Sequence, residues 1–295
     1  MTVRNAFSVD VEEYFQVEAF SSLIPKRDWD RLPPRAEEQT RRTLELLDRF
    51  RVRGTFFVLG WMAERNPALV RTIHEAGHEI GSHGFSHKMI TDMTPEEFKE
   101  DVRRAKGILE GITGGEVPGY RAPTFSIMEK TSWAYGILLE EGYRYSSSVY
   151  PIVHDRYGWP GFGGDPRRMA ANGKGEIWEV PMSVGSFGPF RLPFGGGGYL
   201  RLYPLALTKA LFRSREREGR PAVLYMHPWE LDARQPKVKA PLLRRLRHYM
   251  GIRNMERKLV SLLETWKFGT VGQYLEEAVA RETAAGNGMP ERMPG

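Results

Sequence analysis

Residues 36–59 read AEEQTRRTLELLDRFRVRGTFFVL, and the change of rhythm inside them decides the fold class. From Ala36 to Phe50 the apolar residues recur with helical periodicity, which predicts a helix. Gly54 interrupts it, and Thr55 to Leu59 is an unbroken apolar run that reads as a strand. A helix that gives way to a strand within a few residues is one leg of a βα repeat.

The alternation extends in both directions. Upstream, Ala6 to Val9 predicts a short buried strand that delivers Asp10 at its C-terminal end. Downstream come a helix near Pro67 to Ala76, a strand around Glu79 to Gly81, and a helix opened by Thr94 and Pro95. A strand ending at Tyr120 and Arg121 follows, then a helix from about Lys130 to Glu141 and a strand from Tyr145 to Ser148. Repeated βα units imply an α/β protein with a parallel sheet or barrel whose functional residues gather at strand C-termini. The pattern breaks from Pro151 to about Gly175, and again from Phe187 to Tyr199, a stretch with Pro189, Pro193 and four consecutive glycines. Long irregular loops in a compact domain are usually functional. The pattern resumes with a helix from Pro204 to about Glu218, a strand from Ala222 to Met226, and helices near Leu242 to Tyr249 and Arg253 to Trp266. Residues 283–295 read as a disordered tail after a single domain over 1–282, with a helical extension from about 234.

Composition narrows the function classes. The 41% hydrophobic and 27% charged residues are those of a globular protein with a sizeable core, which excludes disorder for most of the chain. Cysteine is absent, so any metal must be held by oxygen and nitrogen, and no thiol can act as nucleophile. The N-terminal residues carry acids where a signal peptide needs an apolar stretch, and no window approaches a membrane span. The chain therefore reads as cytoplasmic. Its net charge of +6 comes partly from a basic stretch between Arg234 and Lys258. Leu and Met at helical spacing interleave that stretch, so it reads as a solvated helix face; a contact with anionic lipid at the inner membrane face, or with an acidic glycan, is the alternative. No motif points to nucleic acid.

Chemistry concentrates just after the predicted strands. His83 and His87 in HGFSH are four apart, a spacing that on a helical turn puts both imidazoles on one face, able to share a metal. In VDVEEYF, strand alternation sends Asp10 and Glu12 to the same side and Glu13 to the other, which favours Glu12 as the ligand beside Asp10 and leaves Glu13 to a surface arginine. Two histidines and one carboxylate leave coordination positions open for water and substrate. Arg121 in GYRAP can hold Asp10 ionised through a bidentate pair. His227 in LYMHPWE, at the end of an apolar strand, is a candidate proton donor to a leaving amine.

Together these motifs resemble the NodB-type polysaccharide deacetylases, carbohydrate esterase family 4. The set SVDVEEYF, SHGFSH, GYRAPTFS, GGGGYLRLYP and LYMHPWELD is similar to the branch found with bacterial exopolysaccharide loci, which bears a C-terminal extension. The resemblance implies a distorted (β/α) barrel of about seven parallel strands and a divalent metal, zinc or a similar ion, held by Glu12, His83 and His87. It implies Asp10 as general base, Arg121 as its orienting partner, His227 as general acid and the Thr124 N–H as an oxyanion donor. The sequence departs from the common pattern in three places. A valine separates Asp10 from Glu12 where adjacent aspartates are usual, which leaves the choice between Glu12 and Glu13 open. Thr124 replaces an aromatic residue. Ser146 stands where relatives offer an aspartate before paired serines, so the group tuning His227 is unassigned, with Asp155 and Glu179 as candidates.

The implied reaction is hydrolysis of N-acetyl groups on an amino-sugar polymer. Trp159, Tyr199 and Trp229, with Phe162, Phe187 and Phe190, are candidate sugar-stacking rings, and Arg201 and the glycines beside it are candidate contacts to hydroxyls. The competing readings are an allantoinase-like amide hydrolase on the same barrel and a glycan-binding barrel without turnover. An Fe(II) oxygenase shares the ligand types but predicts jelly-roll strands instead of βα units.

Overall fold

The computed structural model describes residues 4–171, 173–188 and 190–286. Its strands are β1 (Asn5–Val11), β2 (Thr55–Val58), β3 (Glu79–Ser82), β4 (Gly119–Tyr120), β5 (Tyr145–Ser146), β6 (Arg167–Ala170), β7 (Glu176–Glu179), β8 (Val184–Phe187), β9 (Phe190–Pro193), β10 (Val223–Met226) and β11 (Phe268–Gly269). The helices are α1 (Ala36–Arg49), α2 (Gly60–Arg65), α3 (Pro67–Glu75), α4 (Pro95–Thr113), α5 (Ala134–Glu140), α6 (Gly197–Leu202), α7 (Leu205–Arg217), α8 (Leu242–Tyr249), α9 (Met255–Leu263) and α10 (Val271–Gly286).

Seven strands, in the order β10-β1-β2-β3-β4-β5-β7, pair in parallel and curl into a half-barrel. The short β11 adds to β1, and β6 joins β7 antiparallel at the far edge. All seven residues of β1 are buried because both faces of the sheet are covered. Phe7, Val9 and Val11 pack outward under the helices, in one apolar cluster with Phe56, Val58, Leu224 and Met226. Their neighbours along the same strands, Ala6, Phe57, Val223 and Tyr225, join a second cluster inside the curl. Ser8 and Asp10 share the inward parity of Ala6, which is how a buried strand carries polar groups into the interior.

The helices start where local chemistry dictates. Thr94 and Glu97 form a reciprocal capping box around Pro95, and α4 ends at Gly114 in the left-handed conformation. Asn66 caps α3 through the Leu69 N–H, with Pro67 in the first turn.

The gap between β7 and β10 is bridged by irregular backbone. Val180 N–H donates to the Ser146 carbonyl, Met182 N–H to Val149, and Tyr225 N–H to Gly195. The four-glycine run serves this closure. A Cβ on Gly196 would lie 1.8 Å from the Tyr225 carbonyl oxygen, and its φ of 142° suits only glycine. Gly195 to Gly197 are therefore pressed against β10 and are not flexible approaches to a substrate.

The first stretch read as irregular contains β6 and the second contains β9; each forms a hairpin with a strand at the border of its stretch, β7 just after the first and β8 running into the second at Phe187. Much of β6, β8 and β9 is exposed, so no buried apolar run marked them. At the other end of the chain, α10 continues through Gly286, so residues 283–286 are helical; the rest of the expected tail lies outside the described residues. Among the described residues, no helix is long and apolar enough to cross a membrane.

Candidate active site

The register of the sheet brings the chemistry to one rim. Val11, Val58, Ser82, Tyr120, Ser146 and Glu179 lie side by side across β1, β2, β3, β4, β5 and β7. The residue after each strand therefore emerges at a common level, and these residues include Glu12, His83 and Arg121. On the other side of β1, Val9 pairs with Met226, which sets His227 at the height of Asp10.

Glu12, His83 and His87 each offer one ligand atom, and these atoms lie within 4.8 Å of one another. The histidines do not share a helical turn, as their spacing had suggested. Residues 83–88 form a loop with Gly84 at φ +69° and His87 at φ +53°. Asp101 of α4 holds that loop, accepting the Phe85 and Ser86 N–H groups at 2.7 and 3.0 Å. His83 Nδ1–H donates to the Arg121 carbonyl at 2.8 Å, which fixes the tautomer that leaves Nε2 with its lone pair. Burial holds His83 down to about 4, so it is neutral near pH 7. Burial also opposes the charge of Glu12, but His87, His227 and His83 outweigh it and lower Glu12 to about 2. An ionised carboxylate beside a neutral imidazole is the protonation state that a cation needs. Glu12 Oε2 lies 2.5 Å from His87 Nε2, and Oε1 accepts the Trp229 indole N–H at 3.1 Å. Two nitrogens and one oxygen in a buried pocket fit a divalent metal of borderline softness.

Glu13 faces away from this cluster. Its carboxyl group accepts the N–H groups of Arg35 and Ala36 at 2.9 to 3.1 Å, at the start of α1, bonds that only partly offset the burial that pushes it up to about 7. The expected surface arginine is not its partner, because the Arg35 guanidinium goes to Asp232.

Arg121 is completely buried. It donates from Nη1 to Asp10 Oδ1 and to Ser8 Oγ, both at 2.8 Å, and from Nε and Nη2 to the Ser147 carbonyl and hydroxyl at 2.9 Å. The pair with Asp10 is thus a single contact and not a bidentate fork, since Ser147 takes the second nitrogen. Asp10 Oδ2 is left facing His227 Nε2 at 3.9 Å.

Behind His227 lies a buried chain of charges that sequence reasoning missed. Glu230 accepts the His227 N–H at 2.9 Å and faces Nδ1 at 3.3 Å, while Arg201 Nε donates to Glu230 at 2.6 Å. Burial disfavours the imidazolium, yet Glu12, Glu230 and Asp10 outweigh it and push His227 up to about 9. Glu230 therefore takes the place left open beside His227. Asp155 is exposed and pairs with His154, and Glu179 is spent on the N–H groups of Ser148 and Val149. A signal did exist, for HPWE puts Pro228 in the first turn and an acid three residues after the cap, as in a capping box.

A pocket of about 170 Å³ joins Asp10, Glu12, His83, His87, Thr124 and His227, with Tyr157, Tyr225 and Trp229 in its walls. Thr124 and Phe125 stand at φ +56° and +51°, strained values for residues with side chains. The turn leaves the Thr124 N–H without a backbone acceptor among the described residues.

The other candidate substrate contacts are placed differently. Arg201 is buried and also donates to the His248 and Met250 carbonyls, so it cannot reach a ligand. Trp229 is buried too, and its ring stacks with His227 and His248 at 5.0 and 4.4 Å instead of presenting a platform. Trp159 packs on Phe162, and Tyr199 sits among Tyr150, Tyr157 and Tyr203; neither lines the pocket. Phe187 and Phe190 are exposed at the tip of the β8–β9 hairpin.

The curled parallel sheet has counterparts among known proteins. Residues 28–143 match the family described as Polysaccharide deacetylase. Residues 147–276 match a second family, described as a domain of unknown function, DUF3473. A peptidoglycan-N-acetylglucosamine deacetylase from Bacillus cereus is 33% identical over 98 residues, 33% of this chain and 36% of that protein. A peptidoglycan deacetylase from Helicobacter pylori is 29% identical over 108 residues, 37% of this chain and 36% of that one. The match thus spans about a third of the length of each relative. Among solved structures, a candidate polysaccharide deacetylase from Mycobacterium smegmatis aligns with a TM-score of 0.62 at 24% identity, over 95% of this chain and 91% of that one. PuuE allantoinase aligns with a TM-score of 0.58 at 16% identity, over 90% of this chain and 86% of that one. Both confirm the barrel-type fold.

The pocket straddles the two matched regions. His83, His87 and Arg121 belong to the first, His227, Trp229 and Glu230 to the second, and Asp10 and Glu12 precede both.

Proposed function

We propose that the chain is a metal-dependent hydrolase that removes N-acetyl groups from the amino sugars of a bacterial polysaccharide, an exopolysaccharide or a peptidoglycan-like polymer. The observation that carries this reading is the pocket in which the Glu12, His83 and His87 trio meets Asp10 and His227, with the buried Arg121 bonded to Asp10 behind it. The named deacetylases among the relatives support the substrate class.

Glu12, His83 and His87 would hold the ion, most simply zinc given a donor set of two imidazoles and a carboxylate. A divalent cation there supplies Lewis-acid activation of water and of the acetyl carbonyl. Asp10, kept in place by Arg121, takes the proton from the attacking water through its free Oδ2. The Thr124 N–H donates to the oxygen that gains charge as the carbonyl carbon becomes tetrahedral. His227, held through Nδ1 by Glu230, gives its Nε2 proton to the departing amine, without which the tetrahedral species would revert to amide. Glu230 and Arg201 act as positioning residues.

The test is acetate release from N-acetylglucosamine oligomers. Wild type should release acetate, and Asp10→Asn should keep its metal yet lose activity by roughly a hundredfold or more. Normal turnover by that variant would remove Asp10 from the mechanism. The allantoinase-like reading keeps only fold-level support from the PuuE alignment, and turnover of a cyclic ureide with no acetate release would establish it.

A further inference from the structure

Helix α8 turns one residue fully inward. His248 stacks on Trp229, and Arg201 grips the carbonyls of His248 and Met250, so the inner side of α8 is fastened to the layer behind the pocket. Its outer side has no such packing. Leu242 and Leu243 are 68% and 61% exposed, and Leu246 and Met250 are 45% and 48% exposed. Positions 242, 246 and 250 repeat every four residues, so these side chains form an apolar stripe facing water. Single exposed leucines are ordinary, but a contiguous stripe rimmed by polar groups marks a contact surface.

Along the segment that carries the stripe the rim is positive. From Ala233 to Met255 the chain has seven lysines and arginines and no acid, and Lys237, Lys239, Arg245 and Arg247 are exposed. The same patch borders the pocket. Arg244 donates to the Ala19 carbonyl and to Ser22 Oγ, in the turn that follows the pocket residues Val17 and Glu18. Leu23 in that turn is 41% exposed. On the opposite side, the charge of Arg247 is felt by His154 and the pocket residue Tyr157, in a loop whose Val153 is 85% exposed.

We propose that α8 and this rim form a membrane-docking surface, with the leucines entering the head-group and acyl boundary of an anionic bilayer and the arginines meeting lipid phosphates. An interfacial helix needs an apolar face and flanking cations, and α8 has both. An acidic glycan would satisfy the cations but leave Leu242, Leu243 and Leu246 in water. A second copy of the chain would bring like-charged rims together, which is unfavourable. Because the inner side of α8 is anchored behind Trp229, docking would set the pocket at the membrane surface and suit an amino-sugar polymer carried there. Only this last step rests on the deacetylase reading.

Sedimentation with vesicles tests the surface directly. Full-length protein should pellet with vesicles of phosphatidylcholine plus phosphatidylglycerol, less so at high salt, and should stay in solution with phosphatidylcholine alone. The triple variant Leu242→Ser, Leu243→Ser, Leu246→Ser and the double variant Arg245→Glu, Arg247→Glu should each lose binding by on the order of tenfold or more. Their melting temperatures and acetate release from soluble oligomers should match wild type. Failure of wild type to pellet with anionic vesicles would overturn the proposal, as would undiminished binding by the variants. A concentration-dependent wild-type dimer that the leucine variant dissolves, with no vesicle binding, would reassign the face to self-association. If no protein released acetate, the vesicle result would still decide the docking surface.

Discussion

Replacing Glu230 by glutamine separates two contributions to His227 that the structure superimposes. The carboxylate holds His227 through the backbone N–H and through Nδ1, and it carries the charge that favours the imidazolium. Glutamine keeps an oxygen acceptor and removes the charge. With Glu12 committed to a cation, Glu230 at 3.3 Å is the nearer of the two buried carboxylates, with Asp10 at 3.9 Å, that are left to stabilise a protonated His227. Two unit charges 3.3 Å apart interact by about 5 kcal/mol at an effective dielectric of about 20. Part of that field is spent on Arg201 at 2.6 Å, so the mutational range for a charged hydrogen bond, about 1.5 to 3 kcal/mol, is the better guide. It corresponds to a loss of about ten- to a hundred-and-fifty-fold in kcat. The alkaline limb of the pH profile should move to lower pH by about one to two units. Metal content and KM should change little, because Glu230 bonds to none of the three ligand side chains and does not itself line the pocket. Removing the carboxylate also strands the buried Arg201, so Glu230→Gln combined with Arg201→Met should recover stability but not kcat. The measurement is acetate release against pH on protein of verified metal content. If kcat and the alkaline limb of Glu230→Gln stay within twofold of wild type at full metal occupancy, the positioning argument is wrong.

Three further outcomes follow from the same geometry. Trp229→Phe removes the indole N–H from Glu12 and should weaken metal affinity about ten- to a hundredfold, read by chelator competition; unchanged affinity would show that the contact does not orient the ligand. His78 is lowered to about 4, chiefly by burial and then by Arg53, and its Nδ1 accepts the Gly54 N–H. Between pH 4 and about 6.5 the unfolded chain therefore binds the extra proton and stability rises with pH, which puts about 2 kcal/mol less stability at pH 5 than near neutrality. In urea denaturation, His78→Asn should flatten that slope relative to wild type, and parallel curves would count against the assignment. Gly196→Ala, at φ 142° and against the Tyr225 carbonyl, should cost more than about 3 kcal/mol, and a melting temperature near wild type would contradict the closure described for the barrel.

The strand and helix rhythm, the inward parity of Asp10 and Glu12, and the strand-end residues that gather at one rim were legible along the chain. Periodicity reports burial against a core, and β1, β2, β3 and β10 are buried on both faces, so they announced themselves. The exposed hairpin strands carry no such pattern and were invisible. Convergence itself needed the sheet register, because Asp10, Glu12, His83, Arg121 and His227 are separated by up to 217 positions, and only parallel pairing places their strand ends on one rim. Burial then decided the fine assignments. Glu12 faces the histidines and Glu13 the start of α1, Arg201 lies behind the pocket while Trp229 stands in its wall stacked on His227, and Glu230 occupies the position beside His227 for which no aspartate was found. Residue type limits what a side chain is able to do. Which of several similar side chains does it depends on the partners that surround each one in three dimensions, and spacing along the chain does not encode those partners.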